Sequence, residues 1–322
     1  MASEQCPSLS KVEELLSATY TDHHLETHVN AMCQYVISAG GKRLRPRITL
    51  LAAQALPHFN STEHLDKVCH IAAAIEMLHS ATLIHDDVID KAPLRRGQPT
   101  LNETEGNHAA VLAGDYMFTR CFNLLEKARD FDIIIALNQT LSQLVVGELY
   151  QLEHEGDPNL SLDIYYKTIY AKTGVLFELA ASAPAILIKG DNDLVPTLRD
   201  YGRLLGIAFQ IKDDMLDYSA DAQSLGKDPG TDLADGRITL PVLLALNHSA
   251  STSEREALLK SISEANLEAV KAAIERTNAL ELCEQEAQKA AQKAIECLNS
   301  LPDSEYKDQL IAICHKAVKR AK

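Results

Sequence analysis

Along most of the chain, apolar residues recur at the three-and-four spacing of one helical face. Ile71, Ile75, Leu78, Thr82 and Ile89 form one such series, and Leu204, Leu205, Ala208, Ile211 and Met215 another. Alternating strand patterns are scarce. Glycine and proline, 14 and 11 in 322 residues, gather in short stretches such as 93–99 and 228–236, which read as loops between helices. The pattern predicts an all-α helical bundle around a central apolar cavity. With no repeat of solenoid period, no low-complexity tract and no Ser/Gly-rich linker, residues 1–322 read as a single domain. From about residue 251 onward the chain is rich in Ala, Glu, Lys and Leu, which predicts amphipathic helices packed on the outside of the core, with no chemistry of their own.

A hydrophobic share of 46% supports a substantial core and argues against disorder. A formal charge of −14 argues against a surface that tracks a nucleic-acid backbone. The seven cysteines (Cys6, Cys33, Cys69, Cys121, Cys283, Cys297 and Cys314) include no C-x-x-C pair and no secreted-scaffold spacing, which suits a reducing, cytoplasmic location. MASEQCPSLSKVEELL lacks the basic flank and apolar core of a signal peptide. No uninterrupted apolar run approaches the length of a membrane span, so no span is expected. A lipid-like substrate remains compatible, because helices can enclose an apolar tail. Tryptophan is absent and aromatics make up 5%, so the interior is lined by aliphatic, Ala and Thr side chains, which fits a long tunnel as well as an ordinary core.

Asp86, Asp87 and Asp90 close the apolar stretch EMLHSATLIHDD, with Asp86 and Asp90 one helical turn apart on one face. Carboxylates so crowded repel one another unless they are solvated or bind a hard cation such as Mg2+, which takes one or two carboxylates plus substrate phosphates. Alone, the cluster reads first as a solvated helix end. The same D-D-x-x-D spacing returns at Asp213, Asp214 and Asp217, again directly after an apolar helix, and the repetition favours metal chemistry over chance. On antiparallel facing helices, two such clusters would wall one cavity mouth. Metal held there would neutralise the charge building on a departing diphosphate.

Basic residues accompany these clusters. Gly40, Gly41, Lys42, Arg43, Leu44 and Arg45 lead into a helix with Pro46 suited to its first turn, and cations at a helix N-terminus make a natural anion site. It is no P-loop, since no strand precedes it and no Ser or Thr follows the lysine. A solvated basic loop is an equally good reading of it alone. Arg95 and Arg96 follow the first acidic cluster, Lys172 and Thr173 follow an apolar-aromatic helix, Gln210 shares the helical face of Asp213, and Lys227 follows the second cluster. Singly these are surface decoration; together they supply cations for two diphosphates. His79 lies about two turns before Asp86 and reads either as a donor to a phosphate or as a core histidine satisfied by a backbone carbonyl. His85, His154, His23 and His24 show no zinc spacing and receive no role.

GGKRLRP at 40–46, LIHDDVIDKAPLRRGQPT at 83–100, AKTG at 171–174 and GIAFQIKDDMLDYSADAQSLGKDPGTDLADGRITLP at 206–241 resemble the all-trans polyprenyl diphosphate synthase family in order, spacing and wording. The resemblance continues to the ending LPDSEYKDQLIAICHKAVKRAK and is nearest to the bacterial octaprenyl synthases. It implies an all-α prenyltransferase fold, a homodimer, and Mg2+ held by Asp86, Asp87, Asp90, Asp213, Asp214 and Asp217. It also implies that Lys42, Arg45, His79 and Arg96 hold isopentenyl diphosphate. Arg95, Lys172, Thr173, Gln210 and Lys227 would hold the allylic diphosphate, with Lys172 and the aspartates as the catalytic set. By the same resemblance, diphosphate leaves the allylic carbon, the isopentenyl double bond attacks the resulting carbocation, and the released pyrophosphate takes the proton.

Product length is read from the residues beneath the first cluster, which in this family form part of a tunnel floor. Ala81 lies about 7.5 Å before Asp86 along an ideal helix and is small, where short-chain members tend to carry an aromatic residue. The first motif also lacks the two-residue insertion of many bacterial short-chain enzymes. Both features favour a long product, and the resemblance selects octaprenyl, built on farnesyl diphosphate and suited to quinone side chains. The alternatives are a farnesyl or geranylgeranyl synthase, or a non-catalytic subunit of a heteromeric synthase, although such a subunit is expected to lose one aspartate cluster. A class I terpene cyclase would carry an Asn/Ser/Glu metal motif in place of the second cluster. Two departures from the family pattern are Lys212, expected to reach solvent or pair with an aspartate, and Arg237, which stands where lysine is common and is left out of the site.

Overall fold

A computed structural model describes residues 7–18, 24–157, 160–219 and 229–319. The expected all-α fold is what forms: sixteen α-helices and one two-stranded hairpin occur among the described residues. The chain folds into two compact units, residues 1–141 with 178–199 and 299–310, and residues 142–177 with 200–298 and 311–322. Four of the boundaries between them fall within α7 (Phe131–Glu153), α9 (Val175–Leu187), α10 (Val195–Leu216) and α16 (Glu305–Val318), and the fifth in the 3-10 turn Leu298–Ser300.

The first unit is organised on α4 (Ser61–Ile89), a helix of 29 residues. Asn60 caps it by accepting the Thr62 N–H, and Glu63 supports its first turn. Beyond the first two turns its buried residues, from Val68 to Asp87, occupy every face, as expected of a helix wrapped by others. Its neighbours are α1 (Pro7–Ala18), α2 (Thr27–Ser38), α3 (Leu44–Ala55) and, most extensively, α6 (Asn107–Ala128). The stretch 93–99, read from sequence as plain loop, contains the hairpin β1 (Leu94–Arg95) and β2 (Gln98–Pro99). Its Arg96–Gly97 turn has positive φ at both residues (53° and 75°), the twist that matches paired strands. A four-residue helix, α5 (Leu101–Thr104), follows.

In the second unit, α8 (Leu162–Ile169) runs into a single π-helical turn, Tyr170–Gly174. The core gathers α8, residues 200–216 of α10, α12 (Leu240–Asn247), α13 (Thr252–Ser263), α14 (Leu267–Arg276) and α15 (Ala279–Cys297) around residues such as Tyr165, Ile211, Val242 and Ala287. The short α11 (Thr231–Ala234) interrupts the second predicted loop. The tail thus forms the amphipathic helices expected of it. It is not without bearing on the site, however: Lys212, only 2% exposed, pairs with Glu284 of α15 rather than with solvent or an aspartate. The physical reason is that Lys212 lies on the side of α10 turned away from Gln210 and Asp214, where α15 supplies the counter-charge that burial demands.

By length and composition alone, α4 and α7 would each suffice to cross a membrane, because their polar residues are mostly uncharged. The apolar window of α4 is 72% buried within the protein and that of α7 33%.

Close approach inside the second unit depends on Gly206. A Cβ there would stand 2.7 Å from the Gly174 Cα and 3.3 Å from the Phe177 Cβ, so the clash is with backbone and no rotamer relieves it. Gly206→Ala is expected to lower unfolding stability by about 2 kcal/mol or more, read from urea denaturation. An unchanged midpoint would show that α10 and the π turn shift apart without cost.

Candidate active site

The first acidic cluster ends α4. Asp86 and Asp90 are half-buried and Asp87 is 6% exposed. The Asp90 N–H closes on the Asp86 carbonyl at 2.8 Å, so the helix persists through the cluster. Asp87 accepts the Arg95 Nε–H at 2.7 Å. Burial pushes the Asp87 carboxyl above its usual range, against the pull of Arg95.

Beside it lies a small cleft whose lining includes Arg43, Glu76, His79, Asp87, Arg95 and Arg96. The hairpin that carries the two last arginines is fastened to α2 and to the loop before α3. Tyr35 Oη donates to the Pro99 carbonyl at 2.8 Å, and Arg96 Nη1 donates to the Gly40 carbonyl. Gly41 has φ 154°, which favours glycine, and a Cβ there would sit 3.0 Å from Arg96 Nη1. Arg45, its Nε sealed from solvent, has its pKa pushed down to about 10 by burial and by Arg96, against Glu76, and remains a cation at neutral pH. His79 is held well below the ordinary imidazole value of 6.5, first by burial and then by Arg45, Arg96, Arg95 and Arg43. It is a neutral ring among guanidiniums, able to donate one N–H to an anion. Lys42 is exposed on the same loop. Ala81 is fully buried on α4.

The second cluster ends α10, and the π turn sets its partners. π turns recur at functional sites because the extra residue re-aims neighbouring side chains. Here the turn presents Lys172 and Thr173. Lys172 Nζ bridges both Glu148 oxygens at 3.1 and 2.9 Å. Thr173 donates to Gln210 Oε1 at 2.7 Å, Gln210 Nε2 donates to Asp214 Oδ1 at 2.8 Å, and Tyr165 Oη donates to Asp214 Oδ2 at 2.7 Å. Burial, with repulsion from Asp232 and then Asp213, holds the Asp214 carboxyl well above the usual carboxylate range despite the Gln210 and Tyr165 bonds. Asp217 accepts the Thr231 and Asp232 N–H groups on its two oxygens at 3.2 and 3.1 Å, so it also caps α11. Lys227 lies outside the described residues.

A cleft adjoins this network, lined among others by Gln151, Lys172, Gln210, Asp214, Asp232 and Arg237. Sequence reasoning passed over Asp232 and Glu148 and set Arg237 aside. The signal for Asp232 and Arg237 was their place in TDLADGR just after the second cluster; Glu148 gave none, since it is recognisable only by what Lys172 reaches.

Among the described residues no three His, Cys, Asp or Glu side chains are already assembled as a metal cage. The donor set nevertheless fits a hard dication. Asp214 is buried beside two further carboxylates with its pKa raised, so charge is wanting there. Mg2+ characteristically completes its shell with substrate phosphate rather than protein ligands alone.

Clefts with basic side chains in their lining beside carboxylate clusters, on an all-α scaffold, fit the class of enzymes that handle diphosphates with divalent metal. Among known proteins, the polyprenyl synthetase family model matches residues 26–277, and the chain belongs to that family. The octaprenyl diphosphate synthase of Escherichia coli is 40% identical over 297 residues, 91% of this chain and 90% of that one. A decaprenyl diphosphate synthase structure from Rhodobacter capsulatus superposes with a TM-score of 0.90 at 32% identity, covering 98% of this chain and 97% of that one. A polyprenyl synthase from Caulobacter crescentus, complexed with calcium and isoprenyl diphosphate, gives 0.89 at 34% identity over 98% and 95%.

The state of His79 is testable. Its folded pKa is depressed, so below about pH 6.5 the unfolded chain binds a proton that the folded chain refuses. The stability contributed by the neutral ring is present above that pH and is lost as pH falls below it, by up to about 1.4 kcal/mol per unit. Denaturation from pH 7.5 to 5 should show a shallower loss in His79→Gln than in wild type. Parallel curves would mean the ring is protonated in the folded protein.

Proposed function

We propose that this chain condenses isopentenyl diphosphate head to tail onto farnesyl diphosphate, with Mg2+, until an octaprenyl chain is reached. Its enzyme class is trans-prenyltransfer, and its reaction is long-chain all-trans polyprenyl diphosphate synthesis from isopentenyl and allylic diphosphates. The observation that carries this reading is that each unit sets a carboxylate cluster at a helix end beside a cleft with basic side chains in its lining, Arg95 and Arg96 in one and Lys172 and Arg237 in the other. The octaprenyl end point rests on similarity to the Escherichia coli enzyme and on the small size of Ala81, buried on α4, which would leave a product tunnel unblocked at that level.

In the reaction proposed, Lys42, Arg45, His79 and Arg96 hold isopentenyl diphosphate. Neutral His79 contributes a directed N–H and the arginines contribute charge. Arg95, Lys172, Thr173, Gln210 and Lys227 hold the allylic diphosphate. The Thr173–Gln210–Asp214 chain fixes the amide of Gln210, and Glu148 orients Lys172. The family's divalent-metal requirement would be met by Asp86, Asp87 and Asp90 and by Asp213, Asp214 and Asp217, with Asp232 beside them. The metal, when bound, offsets the charge of the departing diphosphate. No side chain stands out as the base for the last proton, which is assigned to the released pyrophosphate.

The two units would act as one prenyltransferase domain, in keeping with the four helices that contain residues of both. The enzyme would be cytoplasmic, with no membrane span, and its product would serve as a quinone side chain. α4 would then be a core helix. α7 leaves Val145, Val146, Leu149 and Leu152 exposed, a row that supports a homodimer, since contiguous exposed apolar surface marks interfaces. Sedimentation velocity should therefore give a dimer; a monomer at micromolar concentration would remove that part of the proposal.

The reaction is tested by incubating the protein with isopentenyl diphosphate, farnesyl diphosphate and Mg2+ and sizing the dephosphorylated products. A ladder ending at octaprenol, abolished by chelator, is expected, and Ala81→Phe should shorten it. A short product from wild type would make the chain a shorter-chain synthase. Absence of elongation by folded protein would make it a subunit that needs a partner.

A further inference from the structure

Arg43 lies between two residues assigned to substrate, Lys42 and Arg45, and by sequence looks like a third phosphate ligand. Its side chain is committed elsewhere. Nε and Nη2 bind the two Glu13 oxygens of α1 at 2.7 and 3.2 Å, Nη1 reaches Glu76 Oε1 of α4 at 3.2 Å, and Nη2 also donates to the Ile37 carbonyl of α2 at 2.9 Å. The guanidinium is 9% exposed and the Glu76 carboxylate 6%. The backbone of Arg43 is left-handed, φ 45° and ψ 43°, at the residue that starts α3. An arginine in that region is disfavoured and persists only where surrounding contacts over-determine it.

We propose that Arg43 is a positioning residue, not a phosphate ligand: clamped by Glu13, Glu76 and the Ile37 carbonyl, it fixes the turn that presents Lys42 and Arg45, so that α1 sets the affinity for isopentenyl diphosphate. Three helices converge on one planar cation, and the fork geometry of arginine suits a bidentate carboxylate together with further acceptors, whereas a lysine could not bridge them. Glu76 has a second part in the arrangement. It lines the same cleft as His79 and Arg96 and is the carboxylate that offsets the crowding of Arg43, Arg45 and Arg96. The inference rests on the isopentenyl-binding role proposed for this cleft.

Glu13→Gln is the discriminating variant, because Glu13 is 45% exposed and its loss leaves no buried charge at its own position. If Arg43 is a clamp, the loosened turn raises KM for isopentenyl diphosphate by about tenfold, the scale of one charge-assisted hydrogen bond, with KM for the allylic diphosphate and kcat within about twofold. Were Arg43 a phosphate ligand, releasing it from Glu13 would leave that KM unchanged or lower it, and either result overturns the inference. A parallel rise in both KM values would also overturn it, as a general loss of structure. Arg43→Lys should reproduce the selective rise, and Glu13→Asp should restore part of the affinity. Calorimetric titration of isopentenyl diphosphate alone into wild type and Glu13→Gln reads the same difference without turnover. Wild type that binds it but never elongates would therefore defeat the proposed reaction while leaving the clamp testable.

Discussion

Carboxylates that end a buried helix must have their charge offset from outside that helix, and both units are arranged around this requirement. α4 is buried on every face beyond its first two turns and carries Asp87 inward with it. An arginine must then be brought to Asp87, and Arg95 arrives on a two-residue hairpin whose turn holds Arg96 in a left-handed conformation. The hairpin is too short to hold itself, so Tyr35 and the Gly40 carbonyl fasten it. In turn the glycine pair that receives Arg96 leads directly into the Arg43 clamp. The chain of dependence runs from one buried carboxylate to the geometry of a whole cationic cleft.

The second unit meets the same requirement differently. Asp214 is held by two neutral donors, the Gln210 amide and the Tyr165 hydroxyl. Such donors direct the oxygens without cancelling their charge, and with Asp232 and Asp213 nearby the carboxyl retains a raised pKa. Asp217 takes its hydrogen bonds from the backbone at the start of α11, the helix that carries Asp232. One acidic residue thereby positions the segment that supplies another.

What was legible in the sequence was whatever depends on local spacing. Helices and the two D-D-x-x-D clusters lie within a few residues, where helical periodicity is decisive, whereas spacing set Gln210 beside Asp213 and its amide bonds Asp214 instead. The β hairpin escaped because two-residue strands have no period to detect. Pairings across long stretches escaped for a different reason. Lys212 and Glu284 are 72 positions apart and Arg43 and Glu13 are 30, and at such separations any acid is as good a candidate as any other until the fold selects one. Arg43 was the harder case, since its neighbours in GGKRLRP point to phosphate and only burial separates it from them.

The two clefts also differ in electrostatic character, and the difference bears on the proposed division of labour. Around the first, Arg95 and Arg96 stand beside Asp87, Arg43 is committed to Glu13 and Glu76, and His79 is kept neutral first by burial and then by the arginines. Around the second, Glu155, Asp214 and Asp232 outnumber Lys172 and Arg237, and Lys172 is already bridged by Glu148. On the reading proposed, a diphosphate entering the second meets a carboxylate majority, which metal charge would offset, and both carboxylate clusters would hold metal for the diphosphate that must leave rather than for the one that stays attached to the product.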